Sequence, residues 1–198
     1  MTVLLGERAG VPDRIAAITR RAMNDEIGYT ESLRERIGAL EGLPEAAVEG
    51  AFEDVALRPG AGEFLGDLHD HDAEAVRTAI LTGGFERGVA AALSRAGVAV
   101  DRVVANRLPF EDGKLTGEVE GPLVEGTKDE GLVGLHEEWD LDAVGTVAVG
   151  DGANDVPMLD AAGLAVGYDP KPAVEPHCDV VVESVDELRA VFEDEGLT

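Results

Sequence analysis

Gly150-Asp151-Gly152-Ala153-Asn154-Asp155 is the stretch whose reading decides the fold. The run before it, Val144-Gly145-Thr146-Val147-Ala148-Val149, is short, apolar and β-branched, which predicts a buried strand. The run after it, Val156 to Ala162, predicts a helix, with Pro157 in the first turn where its missing N–H is no loss. Strand, glycine-bearing turn and helix make one unit of an open α/β sheet, and such sheets bind ligands at the C-terminal ends of their strands. Two carboxylates and an amide at that edge suit a hard, oxygen-seeking cation such as Mg²⁺, or a phosphate. Asp151 and Asp155 are four apart and face the same way if helical geometry begins within the turn. A simpler reading competes: Asp155 as N-cap of the next helix, with Gly152 supplying a positive φ. Capping accounts for one carboxylate and gives no reason for Asp151 or Asn154.

The 198 residues are enough for one α/β domain with a small insertion. The chain has 41 acidic against 16 basic residues, a net charge of −25. That charge argues against nucleic acid or an anionic membrane as partner. The acid is spread along the chain, so it is not an acidic tail. Dispersed acid, few lysines and abundant Ala, Gly and Val resemble proteins of high-salt cytoplasm, where salt screens self-repulsion. The lone Cys178 excludes an internal disulfide and a cysteine-cluster metal site. No apolar run reaches membrane-spanning length and no signal peptide is recognisable, so a cytoplasmic location is expected.

Read in order, 1–10 predicts a lead-in helix, and 11–57 predicts only helices: Asp13 to Asp25, Thr30 to Leu40 capped by Thr30, and Pro44 to Val55. The α/β alternation begins after Arg58-Pro59-Gly60. Its expected elements are a helix from Gly62 to His71, a strand from Ala75 to Leu81 ending at Thr82-Gly83-Gly84, and a helix from Arg87 to Ala96. A strand from Val100 to Ala105, a hairpin around Asp112-Gly113 and a helix from Lys128 to Glu138 follow, then the Val144 strand. Short strands at Leu164 to Gly167 and Val180 to Val182 and a helix from Asp186 to Phe192 close the chain. The expectation is a parallel sheet with helices on both faces.

Thr82-Gly83-Gly84 offers a hydroxyl and free amides at a second strand end, either a phosphate-binding nest or an ordinary turn. Lys128 opens a helix, where the dipole disfavours a cation, yet by itself it reads as a solvated surface lysine. Arg36 is either a surface ion-pair partner or a two-pronged clamp for a carboxylate. His69-Asp70-His71-Asp72 reads as a solvated turn, His136 and His177 as structural or exposed, and Cys178 as a small core residue.

Together these stretches resemble the haloacid dehalogenase superfamily, and within it the phosphoserine phosphatases. Gly150–Asp155 is similar to the family's acidic motif. Leu81-Thr82-Gly83-Gly84-Phe85 resembles its hydroxyl motif, with Thr where Ser is usual. Ala105-Asn106-Arg107-Leu108, Asp112 to Gly117 and Glu120-Gly121-Pro122 resemble its hairpin region. The resemblance implies a Rossmann-like α/β core at 58–198, joined by the 1–10 helix, and a helical cap at 11–57. It implies Mg²⁺-dependent hydrolysis of O-phosphoserine, with Asp151 and Asp155 at the metal. Thr82, Gly83, Lys128 and Asn154 would hold phosphate. Met23, Tyr29 (where Phe is usual) and Arg36 would hold the serine part. Asp151, Lys128 and Thr82 are the expected catalytic residues.

The family also carries a strand ending in Asp-x-Asp-x-Thr/Ser, whose first Asp is the nucleophile and whose second is the acid/base. No such run occurs in the 198 residues, and the resemblance implies that it lies upstream of Met1, between the Ala75–Leu81 and Val144–Val149 strands of the sheet. The chain by itself is then expected to be inactive and poorly folded. Against the enzyme stands a second reading, a non-catalytic phospho-ligand or interaction module on the same fold. A nucleotide-binding Rossmann module fits worst, because Gly150-x-Gly152 lacks a third glycine and carries an acid between the two.

Overall fold

The computed structural model describes residues 1–24, 26–70 and 76–197. The elements in order are α1 (Thr2–Arg8), α2 (Pro12–Met23), α3 (Tyr29–Gly38), α4 (Glu45–Glu53), α5 (Ala61–Asp70), β1 (Ala79–Phe85), α6 (Glu86–Ala96), β2 (Arg102–Asn106), β3 (Phe110–Glu111), β4 (Lys114–Leu115), α7 (Lys128–Trp139), β5 (Val147–Gly150), α8 (Val156–Ala161), β6 (Leu164–Tyr168), β7 (Val180–Val182) and α9 (Val185–Asp194). They group into two compact units. Asp25, His71, Asp72 and Ala75, on which some expected helix and strand ends fell, lie outside the described residues.

The first unit comprises Met1–Leu57, Thr82–Gly97 and Val103–Glu125, so the expected 11–57 cap lies wholly within it. Its helices bury one stripe each. Leu5, Ile15, Leu33, Ile37, Leu40, Val48 and Phe52 meet Phe85, Leu108, Leu115 and Val124 in one core, which is the 3.6-residue pattern read from the sequence. α1 and α2 cross closely at Gly6, where a Cβ would lie 2.7 Å from Ile15 Cγ1. Asp112 and Gly113 both have positive φ, 50° and 74°, the two-residue loop that joins antiparallel β3 and β4 and that Asp-Gly favours. α3 begins at Tyr29 after an extended Gly28, so Thr30 is not its cap. The Thr30 hydroxyl donates instead to the Val124 carbonyl at 2.8 Å.

The second unit comprises Arg58–Leu81, Val98–Arg102 and Gly126–Thr198. Its centre is the parallel sheet β5-β6-β7, in register at Val147↔Leu164, Gly150↔Gly167 and Val166↔Val180. Alternate side chains pass to opposite faces. Val147, Val149, Val166 and Val182 pack with Phe64 and Leu68 of α5 and Leu188 and Phe192 of α9. Ala148 and Ala165 pack with Leu132 of α7 and Met158 and Leu159 of α8. This is the expected parallel sheet with helices on both faces.

Two strands differ from expectation. β5 starts at Val147, because the Asp142 side chain captures the Gly145 N–H at 3.0 Å and Thr146 N–H bonds to Ala143 C=O at 3.1 Å. That turn leaves Val144 86% exposed. β1 does not end at Leu81 but runs through Thr82-Gly83-Gly84 to Phe85, paired with β2. No helix among the described residues is long and apolar enough to cross a membrane.

The Phe52 ring is 1% exposed and stands 6.2 Å from that of Phe85. Phe52→Ala is therefore expected to cost about 3–5 kcal/mol. The measure is a fall in the urea midpoint with little change in slope. A loss below about 1 kcal/mol would mean that the core refills the cavity.

Candidate active site

The acidic turn is built by its glycines. A Cβ on Gly150 would lie 2.5 Å from the Cβ of Asp155, so only glycine at the end of β5 lets Asp155 fold back over it. Gly152 is not among the positive-φ residues. A Cβ there would lie 2.9 Å from Asn154 Oδ1, the end of an exposed side chain.

Asp155 occupies the N-cap position of α8, yet its side chain makes no capping bond. The carboxylate turns back to the strand end. Oδ2 accepts the N–H groups of Asp151 and Gly152, each at 2.9 Å, and Oδ1 accepts from Lys128 Nζ. Capping, the simpler reading, is thereby set aside. Asp155 is 4% exposed. Burial pushes its pKa up, but the Lys128 hydrogen bond and charge and the two backbone donors outweigh it, so the net shift is downward. Lys128 is the first residue of α7, whose first turn also carries Asp129 and Glu130. The dipole cost of a cation there is met by the carboxylates around it.

Asp151 is different. Its backbone is pinned on both sides, N–H to Asp155 and C=O to the Lys171 N–H at 3.0 Å. Its side chain is 56% exposed, with Arg58 Nη2 3.9 Å away. The two carboxylates of the motif are thus divided: one buried and nearly saturated with donors, one free to take a ligand. Asn154 is exposed in the same turn. Among the described residues no three His, Cys, Asp or Glu side chains form a ready metal cage.

The other expected residues lie in the first unit. The Thr82 hydroxyl accepts the Gly84 N–H at 3.0 Å, which leaves its own proton to donate. The Gly83 carbonyl accepts from Asn106 Nδ2 at 3.2 Å, and Asn106 Oδ1 accepts the Leu123 N–H at 3.0 Å. The Tyr29 hydroxyl sits where a Cβ of Gly83 would be, so a side chain at this position would displace the Tyr29 ring. Arg36 donates to Ser32 C=O at 3.1 Å and Thr2 Oγ1 at 3.3 Å. It has no carboxylate partner among these contacts, unlike the surface pair first weighed against it. Burial raises the Tyr29 phenol and lowers the Arg36 guanidinium, and each group's charge opposes the shift of the other. Met23 is 74% exposed at the end of α2.

So Lys128, Asp151, Asn154 and Asp155 come together in one unit, and Tyr29 comes against Gly83 in the other. Two residues escaped sequence reasoning. Asn106, fully buried, clamps Gly83 through side-chain bonds; its signal was an amide inside an apolar strand. Arg58 faces Asp151 from 93 positions away, which no local pattern reveals. His136 bonds Thr146 Oγ1 at 2.8 Å and His177 bonds Asp160 at 2.7 Å, both structural contacts. Burial raises the Cys178 thiol, the setting of an inert side chain.

A model of the haloacid dehalogenase-like hydrolase family matches residues 4–160. The chain belongs to that family. Within these hydrolases it stands with the phosphoserine phosphatases: one from Halobacterium salinarum is 55% identical over 193 residues, covering 98% of this chain and 90% of that protein. Two solved structures share the fold. One, a phospho-aspartyl intermediate analogue of phosphoserine phosphatase, has a TM-score of 0.83 at 33% identity, covering 96% of this chain and 91% of the other. The second, a substrate-bound phosphoserine phosphatase complex, has a TM-score of 0.83 at 34% identity, covering 98% and 90%.

In this hydrolase the Lys128–Asp155 pair predicts its own pH signature. Asp155 has a folded pKa below its unfolded value, so its contribution to stability is full above about pH 4 and is lost as pH falls through the lowered pKa. Lys128→Met strands a buried carboxylate and is expected to cost about 3–5 kcal/mol near pH 7. The cost should shrink in acid, where Asp155 takes a proton and needs no cation. Denaturant melts of both proteins from pH 7 down to about pH 4 read this difference; a cost independent of pH would mean that Lys128 acts by packing alone.

Proposed function

We propose that the protein hydrolyses O-phosphoserine to serine and phosphate, with an attacking aspartate from the family's Asp-x-Asp-x-Thr/Ser motif, a run the 198 residues do not contain. What carries the proposal is the Asp155 carboxylate, fixed by Lys128 and two backbone amides beside a free Asp151, in a chain whose H. salinarum relative is a phosphoserine phosphatase. That relationship favours the enzyme over a non-catalytic module of the same fold. Substrate would be a small phosphomonoester.

The acidic turn suits Mg²⁺. This ion binds through one or two carboxylates, keeps several waters and leaves positions for phosphate oxygens. Asp151 has a carboxylate to offer, and Asp155, with three of its acceptor positions filled, is suited to orient waters rather than to ligate. When bound there, Mg²⁺ neutralises charge on the phosphoryl oxygens.

The chain's own residues take the remaining roles. The Lys128 ammonium retains donors beyond the one given to Asp155, and these hold a phosphoryl oxygen. The family's motifs assign the other oxygens to Asn154, the Thr82 hydroxyl and the Gly83 amide. Asn106 positions Gly83 through its carbonyl. Arg36 takes the serine carboxylate, with Tyr29 and Met23 beside the serine carbons. The phosphoryl group passes to an aspartate carboxylate as an acyl phosphate, serine leaves with a proton, and water then cleaves the acyl phosphate. In the family the attacking aspartate is the first Asp of the Asp-x-Asp-x-Thr/Ser motif and the second Asp gives the leaving serine its proton; the 198 residues contain no such run.

The protein expressed from its own gene is expected to release phosphate from O-phosphoserine when Mg²⁺ is present. Asp151→Asn should lower the affinity for Mg²⁺ by at least the roughly 10–100-fold that loss of an outer-shell partner costs. Near-full turnover of that variant at limiting Mg²⁺ would remove Asp151 from the metal. Arg36→Ala should raise KM for phosphoserine by about tenfold or more while leaving that for phosphoethanolamine, which has no carboxylate, nearly unchanged. Equal losses on both would show that Arg36 only supports the fold.

A further inference from the structure

Asp151 and Asp155 have different cations. Lys128 pairs with Asp155. The cation that faces Asp151 is Arg58, whose Nη2 stands 3.9 Å from Asp151 Oδ2. Arg58 opens the second unit, and its guanidinium rests on the ring of Tyr168, 4.8 Å from the centroid. The sheet register explains the meeting. Gly150 pairs with Gly167, so the next residues, Asp151 and Tyr168, leave neighbouring strands side by side. Tyr168 is a platform for the arginine by cation–π contact, and Asp151 is fixed by its backbone bonds on both sides. With 16 basic residues against 41 acidic, most carboxylates here cannot have a cation of their own; this exposed one does.

We propose that Arg58 is an internal cation that competes with a divalent metal ion for Asp151 and so sets how tightly that carboxylate binds metal. This rests on Asp151 being a metal ligand, as proposed above. The guanidinium is charged at every working pH. Because Arg58 Nη2 stands 3.9 Å from Asp151 Oδ2, a divalent ion held by Asp151 would be repelled by the guanidinium unless the arginine swung away, and either course would weaken binding. The pair is half-exposed on both sides, a setting in which single ion pairs carry modest energies. Arg58 therefore tunes metal affinity without abolishing it. Swinging away is open to a long side chain held by one ring face and one distant carboxylate.

The test is direct Mn²⁺ binding to the full-length protein, read from the EPR signal of free Mn²⁺, at about 0.1 M and about 1 M KCl. Arg58→Ala and Arg58→Gln should each bind Mn²⁺ about two- to fivefold more tightly than the wild type at the lower salt, with the gap narrowing at the higher. Arg58→Lys should stay close to the wild type. Tyr168→Leu, which removes the platform and keeps the charge, should shift affinity in the same direction by less. Unchanged or weaker Mn²⁺ binding in both charge-removing variants would overturn the proposal, the weaker case meaning that Arg58 helps to build the site. Asp151→Asn separates the two failures. If it binds Mn²⁺ like the wild type, the metal assignment itself falls. If it weakens binding while the Arg58 variants do nothing, only the competing role falls.

Discussion

Asp155 is held by three donors that come from two places in the chain, and the acidic turn depends on that. Its two backbone donors belong to the residues leaving β5, and its side-chain donor begins α7, 27 positions earlier. A carboxylate at 4% exposure is tolerable only when such bonds replace water. Replacing them here also fixes the path of the main chain, because the Asp151 and Gly152 N–H groups can reach one oxygen only if the turn is tight. Gly150 is then obligatory, since the side chain it would carry is displaced by Asp155 itself. One buried charge thus fixes the strand end, the helix start and the lysine.

That arrangement leaves the second carboxylate available. Asp151 has its backbone fully engaged and its side chain half in water, so it is oriented without being neutralised. Two acids in six residues are set apart by burial and by the donors that accompany it. The same logic governs the scarce cations of a chain at −25. Lys128 serves a buried acid, where an unpaired charge would be expensive. Arg58 serves an exposed one, where the pairing is loose and exchangeable.

In the first unit, close approach takes the place of charge. Thr82 and Gly83 lie within β1, which pairs with β2, and two side-chain bonds add to that pairing past Leu81: Thr82 to the Gly84 amide, and Asn106 to the Gly83 carbonyl. Asn106 is pinned in turn by the Leu123 N–H and by Gly121, where φ is 135° and a Cβ would lie 2.8 Å from the Asn106 Cα. The Tyr29 ring approaches Gly83 because that residue has no side chain. A glycine-rich strand end is weak by propensity, and here it is held by pairing with β2 and by polar contacts from Thr82 and Asn106.

Period and local chemistry were enough, by sequence alone, to determine the helices of residues 1–57, the Asp-Gly hairpin, the parallel strands at Val147, Leu164 and Val180, and the strand–turn–helix that carries Asp151 and Asp155. These depend on neighbours within a few residues: a repeat of 2 or 3.6, a proline in a first turn, a turn dipeptide. The family was legible for the same reason, since its motifs are short and contiguous. Tertiary structure decided what depends on distant partners. Val144 left its strand for a turn closed by Asp142, Thr30 gave up a cap for a carbonyl 94 residues away, and Thr82-Gly83-Gly84 became strand because β2 lies beside it. Asp155 was divided from Asp151 by Lys128, Asn106 was turned onto Gly83, and Arg58 was brought to Asp151. A hydrogen bond or ion pair between residues tens of positions apart leaves no period in the sequence, so only the folded chain reveals which polar side chains are spent on the scaffold and which are left for a ligand.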